Sequence, residues 1–522
     1  MAPLKDAAHR PRRPLAGIGL LVGLTVAILA AGCATSPRPL APRDRAEALN
    51  RSEALQRQAL GLRRSAQLRE ALRAAKESHN LALAALGPDH PDVAARLNLL
   101  AGIQFDLGDY RAAEGSYQRA LAIREQALGP ASLDVATSLN NLAELYRQLG
   151  RAQQALPLFG RALEIQQAAL GPDSAEVATT LGNLANLETD VGHYREAIAL
   201  FEKALAIKLQ RFGESDPSTA STLNNCARPH SALGEFERAH ELLERALASY
   251  RTALGPDNPA VAVALDNLAT SYCNRGACTA ARPLVERALQ IQTRALGPGN
   301  LHVAMSLNNL ATIYLSDGKP DRAERLCRRA LAIQEPVLGA GHPLVAVTLT
   351  CSGRSQMQQG RLKEARHAFE RAAGIVERAL GDRHPEYGRA LSHLAALYEA
   401  DQDWFRAERH YRRALKVFEQ GAGPESRDAA IGLNNLAHYY DLRGEDARAL
   451  PMYRRAVALL EAALGPDHPD LLLPLQNVER LSRQSGALEP AEATATRVRR
   501  LRQRREEVAA QASSQAAGEL TR

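Results

Sequence analysis

A spaced row of asparagines is the feature of this chain with the most chemistry to offer. Pairs stand at Asn140-Asn141, Asn224-Asn225, Asn308-Asn309 and Asn434-Asn435, and single members at Asn98, Asn183, Asn267 and Asn477. A carboxamide carries both donors and an acceptor, so a ladder of amides can hold the backbone of an extended peptide with little regard to its sequence. On the same face stand Glu144, Arg147, Asn186, Asp190, Arg228, Arg354, Glu399, His438 and Asp441. Their mixed signs suit specificity rather than capture of a single-charge ligand. The competing use of the amides is structural, as spacers bonded between neighbouring elements. The second asparagine of each pair is the better candidate for that use, and the first is expected to point further into a groove.

Other reactive constellations are missing. The sequence has no GxSxG, no HExxH, no glycine-rich phosphate loop behind a strand and no CxxC. No catalytic, metal or cofactor residue is expected, and no small-molecule substrate. His90, His342, His384 and His468 recur immediately before proline, where they read as helix caps. Cys226 and Cys327 occupy apolar core slots, where a buried free thiol is ordinary. Cys273 and Cys278 are close enough in sequence to form a disulfide outside the cytoplasm; the alternative, two free thiols about a helix turn, is favoured because a C-x4-C spacing there fits disulfide geometry poorly. The net charge of +7 falls to about +4 without residues 1–32, too little surplus to argue for nucleic acid.

The elements that must carry these residues follow from a 42-residue period. Gly87, Gly129, Gly171, Gly213 and six further glycines through Gly465 keep it without an insertion, as do alanine slots typified by Ala155 and Ala162. Each period reads as two helices. In 129–170, Gly129 and Pro130 end one helix, Ser132 caps the next, and Val135, Leu139, Leu142, Tyr146 and Leu149 form one apolar stripe. Gly150 makes the turn, and Ala155, Phe159, Ala162 and Leu163 line the second helix. Helix pairs are predicted near 90–107 and 109–128 and every 42 residues thereafter. Pro229 inside a first helix predicts a kink or early end. Thr350-Cys351-Ser352-Gly353, standing where other repeats have Asn-Asn-Leu-Ala, marks a second weak point.

The slots Leu139, Leu142, Ala143, Tyr146, Ala155, Phe159 and Ala162 resemble the tetratricopeptide repeat. The phrase LNNLAELYRQLG at 139–150 and the 42-residue length resemble its kinesin-light-chain type. The resemblance spans 87–506 as ten repeats. It implies an all-α solenoid of helical hairpins wound as a right-handed superhelix, with first helices on the concave side and a protein or peptide partner. Residues 45–86 read as a degenerate capping repeat, the arginines from Arg497 to Arg505 as a solvated capping face, and 507–522 as a disordered tail.

The N-terminus has a basic, proline-rich start and an apolar run over 15–32 that ends at Cys33. That is the pattern of a signal peptide over 1–32, followed by a tether over 33–44. Ala30-Ala31-Gly32-Cys33 resembles a bacterial lipobox, although the leucine falls one place early, at Leu29. The resemblance implies acylation of Cys33 and attachment to a membrane of the cell envelope, facing the periplasm. The expected function is a lipid-anchored scaffold that binds a partner in its concave groove. Alternatives are an accessory subunit docking by its convex face, or a cytoplasmic adaptor if residues 1–33 are not a signal.

Overall fold

The computed structural model describes residues 41–519. Cys33 and the segment 1–32 lie outside the described residues. The helices follow the predicted phase closely: Pro91–Asp106 with Tyr110–Leu128, then Leu133–Gln148 with Ala152–Leu170, continuing to Asp446–Leu464. Among the described residues there is no strand.

Each first helix starts at a cap that accepts a backbone N–H. His90, His342, His384 and His468 accept through Nδ1 at 3.1 Å, and Ser132 accepts through Oγ at 3.2 Å. The turn between paired helices requires a left-handed residue, supplied by glycine in most repeats. Where the glycine is missing, Gln402 and Ala66 take φ = 58° in its place. Helix contact falls on the small residues: Ala113, Ala155, Ala197 and Ala323 are fully buried, as are Ala120, Ala162, Ala204 and Ala330. A methyl at these points brings two helix axes close together and leaves Phe159, Phe201, Phe369 and Tyr453 to fill the space beside them.

Several expectations are corrected. Pro229 does not end its helix, which runs Pro217–Ala232 at the usual 16 residues. Proline there removes one bond, to the Asn225 carbonyl, and only three helical residues follow it. The 339–380 repeat also keeps a full first helix, Pro343–Gln358, because Gly353 admits the Phe369 ring; a Cβ at Gly353 would stand 2.6 Å from Phe369 Cε1. Cys273 and Cys278 are joined as a disulfide, with Cα atoms 4.0 Å apart, which is the less favoured of the two readings. The capping segment is a hairpin of Pro42–Arg64 and Leu68–Leu86, so helix begins inside the expected tether. The tail is not disordered from 507 onward, since the last helix runs Leu488–Glu519 and buries Ala512 completely. Arg497 and Arg500 reach back to Glu461 and Asp467, each at 2.5 Å, while Arg499, Arg502, Arg504 and Arg505 are exposed, in keeping with a solvated face.

Ala512 finds its place because the solenoid winds past one full turn and touches itself. His342 sits on Gly108, His384 on Gly150 and His468 on Gly234, a constant offset of 234 residues. A Cβ at Gly108 or Gly150 would meet the imidazole Cδ2 at 2.6 Å or 2.8 Å, so only glycine lets the ring approach. Further along the same junction Ala509 rests near Gly276, and Gln515 accepts from Arg275 Nη1 at 2.7 Å.

Candidate functional site

The asparagine row divides into two chemically different sets. Asn98, Asn140 and Asn308, the first-slot residues expected to face a ligand, donate their Nδ2 to Ser138, Thr180 and Thr348 of the next repeat at 3.0, 2.7 and 2.5 Å. Those hydroxyls are shared with the second helix between them. Thr180 donates to Gln166 Oε1 at 2.6 Å and Thr348 to Gln334 Oε1 at 2.7 Å, while Ser138 accepts from Arg124 Nη1 at 2.9 Å. The result is a three-residue seam that ties both helices of one repeat to the first helix of the next. The Oδ1 atoms of Asn98, Asn140, Asn308 and Asn434 are buried with no donor among the described residues, out of reach of a ligand. The first asparagines therefore act in the stack, reversing the expected division of roles.

At 266 the same slot holds an aspartate. Ser306 donates to its carboxylate, and Gln292 Nε2 does so at 3.4 Å. Burial pushes the Asp266 carboxyl up to about 6, even though hydrogen bonds from Ser306, Asn309 and Gln292 pull it down.

The second-slot residues Asn141, Asn183, Asn225, Asn267, Asn309 and Asn435 are half-buried. Asn141, Asn183 and Asn435 make no side-chain hydrogen bond among the described residues. Asn267 donates to Asn224 Oδ1 at 2.8 Å, and Asn224 donates to Asn225 Oδ1 at 3.3 Å. Asn186, Asn225 and Asn267 line one inner cavity of about 610 Å³, closed across the turn by Arg427, His468 and Asp470. Asn309 lines a second, of about 670 Å³, together with Arg147, Asp190, Arg228, Arg354 and Val347.

Most of the proposed specificity charges are tied to one another. Arg147 bridges Glu144 of its own helix, at 2.6 Å, and Asp190 of the next repeat; Arg228 of the repeat after that binds Asp190 at 2.9 Å. Burial disfavours the charged Arg147 guanidinium, but the two carboxylates outweigh it and raise its pKa. Glu399 accepts from Tyr411 Oη at 3.1 Å and lies 4.0 Å from His438 Nε2, and Asp441 pairs with Arg480. Arg354 is the exception: it is exposed on the chamber wall and forms no ion pair among the described residues.

The inter-turn histidines and the hydroxyl–amide seams went unread in the sequence. The seams left a signal, a Ser or Thr recurring 14 residues after a Gln, Arg or Lys. The histidine contacts left none, since they join positions more than five repeats apart.

Comparison with known proteins agrees with this architecture. Residues 46–126, 134–210, 260–335, 302–372, 344–420, 389–462 and 428–504 match the tetratricopeptide repeat, and residues 219–260 match a second form of it. No curated protein matches the chain. Among solved structures it is similar to a kinesin-light-chain-type array of nearly identical TPR-like repeats from Podosopora anserina, at 28% identity, over 40% of this chain and 97% of that one, with a TM-score of 0.33. It is also similar to a Rap protein crystallised with competence and sporulation factor, at 15% identity, over 80% of this chain and 99% of that one, with a TM-score of 0.46. With the repeat matched from residue 46 to residue 504, the chain belongs to the tetratricopeptide repeat family.

Proposed function

We propose that the protein is a scaffold that binds an extended segment of a protein partner along the inner wall of the solenoid, held at the cell envelope by acylated Cys33. The observation that supports this most directly is the chamber of about 670 Å³ between successive turns. Its wall offers polar groups that the stack leaves unused, chiefly Arg354, beside Val347, which is 55% exposed. A few oriented polar groups beside apolar surface are what a peptide site needs. The binding role moves from the first asparagines to the second slot and to Arg354.

Partner capture tests the groove. Replacing Arg354 of this chamber together with Asn186 and Asn225 of the adjoining cavity of about 610 Å³ (Asn→Ala, Arg354→Gln) removes hydrogen bonds worth about 0.5–1.5 kcal/mol each, which should weaken binding of a segment that runs along both by an order of magnitude or more while circular dichroism stays helical. Undiminished binding, or cross-links confined to the second helices, would move the site to the convex face. The anchor is tested separately. Cys33→Ser should abolish fatty-acid labelling and leave an unprocessed precursor; normal maturation of that variant would remove the lipoprotein reading. Triacylation is what stable attachment requires, because one acyl chain binds a membrane only marginally.

A further inference from the structure

We propose that Cys327 and Cys351 are a modification site: a dithiol that closes to an intrachain disulfide on exchange with a disulfide-bearing oxidant, stapling two consecutive repeats. The two residues are 24 apart, on the second helix Pro320–Leu338 and the following first helix Pro343–Gln358. Their sulfurs lie 2.8 Å apart and both side chains are buried. Each cysteine also departs from its slot. The slot of Cys327 holds Tyr117, Phe159, Leu243 or Val285 in other repeats, and the slot of Cys351 holds Asn225 or Asn309. Two departures of the same kind, in slots with different requirements, meet at one point. Cys226 provides the contrast: it fills an ordinary leucine slot and no other sulfur approaches it.

The surroundings suit exchange. Ala311, Leu315 and Ala323 pack around the pair, with Tyr314 and Leu326 against the same cluster. Cys351 lies on the wall of the inner chamber, where an oxidant can reach it, whereas Cys327 is fully enclosed. The Cys327 thiol donates to the Cys351 sulfur, and Arg354 stands nearby; together they hold the Cys351 thiol below its usual pKa despite burial. The same contact, with burial, raises that of Cys327. Cys351, on the chamber wall, is the attacking thiolate, and the enclosed Cys327 is the resolving thiol. The Cys351 thiolate attacks one sulfur of the oxidant disulfide and expels a thiolate. Cys327 then loses its proton and attacks the Cys351 sulfur, expelling the second thiolate. Two protein thiols are oxidised by two electrons, and the oxidant disulfide is reduced to two thiols.

The test uses the reduced full-length protein incubated with oxidised glutathione, alkylated under denaturing conditions and digested with trypsin without reduction. Fragment 326–328 should be recovered joined to fragment 330–354, and dithiothreitol should separate them. Closing this loop should raise Tm by about 2 °C or more. The double variant Cys327→Val, Cys351→Asn installs the residues of the neighbouring repeats at both slots and keeps the Cys273–Cys278 pair, so its oxidant-dependent rise should be smaller than that of the natural chain by the share due to the new link. Full alkylation of both thiols after oxidation, or recovery of either one joined to Cys226 instead, would overturn the proposal. The fragment assay on the natural chain decides this even if the double variant fails to fold.

Discussion

The N-terminal and C-terminal seams of the solenoid share one backbone register and use opposite chemistry. Between Asn98 and Thr348 the contact is polar in all seams but one, as in Asn140–Thr180–Gln166, Asp266–Ser306–Gln292 and Asn308–Thr348–Gln334; the exception is the Asn224 seam, where Ala264 and Tyr250 fill the two partner slots. Beyond it the hydroxyl slot becomes Ala390, Gly432 and Pro474, and the amide slot becomes Val376, Phe418 and Leu460. Phe418 fits only because two neighbours are glycine: a Cβ at Gly388 would lie 2.6 Å from its ring, and one at Gly432 would lie 2.9 Å away. One set of seams is specified by directional bonds and the other by volume. A repeat array can hold a constant geometry while exchanging one solution for the other, provided that a whole seam changes together.

The comparison predicts unequal responses. The largest belongs to the apolar seam: Phe418→Ala should cost about 3–5 kcal/mol, seen as early loss of hydrogen-exchange protection across 385–464. Restoring a polar residue by Phe418→Gln should not rescue it, because Gly432 offers no hydroxyl. Next is the buried carboxylate. Asp266 titrates near 6 in the folded chain against an ordinary value of 3.8, so the folded state holds the proton more tightly. Stability should therefore fall as pH rises from about 4 through about 6 and then stay level. Asp266→Asn, which installs the residue of the adjacent seams, should flatten that slope and gain up to about 3 kcal/mol at pH 7. Denaturant melts across pH 4–7 would show whether the slope belongs to this residue.

Thr348→Val keeps the shape of a polar seam but leaves Asn308 Nδ2 and Gln334 Oε1 unpartnered, and should cost about 1–2 kcal/mol. An unchanged melt would mean that the polar seam is held by shape as well. The smallest effect on the melt concerns the contact between turns. His342 and His384 are held down to about 4, and His468 is lowered, by burial in each case. Asp106 faces the first; Arg389 and Asp190 face the second; Asp470, Arg427 and Arg504 face the third. Their neutral forms fit the contact, which should be intact above about 6.5 and lost as pH falls toward 4. Replacing all three with asparagine, the cap used at Asn258 and Asn300, should loosen the coil in small-angle scattering at pH 7 while moving the melt by under about 1 kcal/mol.

What the sequence disclosed follows from the range of the forces involved. Helix pairs, turns and caps depend on residues within a few positions, so Gly150, Ser132 and Ala155 could be placed from spacing alone. Pro229 was misjudged because tertiary packing carries a helix over a defect in its last turn. The asparagines were harder. Their period showed that they share a face, but which amide meets Thr180 depends on the rotation of one repeat against the next. The Cys273–Cys278 link is local and turned on the exact path of one helix turn, while the docking of Ala512 lay further out of reach, since it depends on where distant chain arrives.

The constant 234-residue offset between touching turns gives the molecule a mechanical character. It is a close-wound spring, stiff when compressed because ring already rests on backbone, and compliant when pulled because those contacts are few and part without unfolding any repeat. Tension between its two ends should first separate the turns and widen the inner chamber, and should break helix only later. In single-molecule stretching this would register as a soft, reversible extension ahead of the first unfolding step.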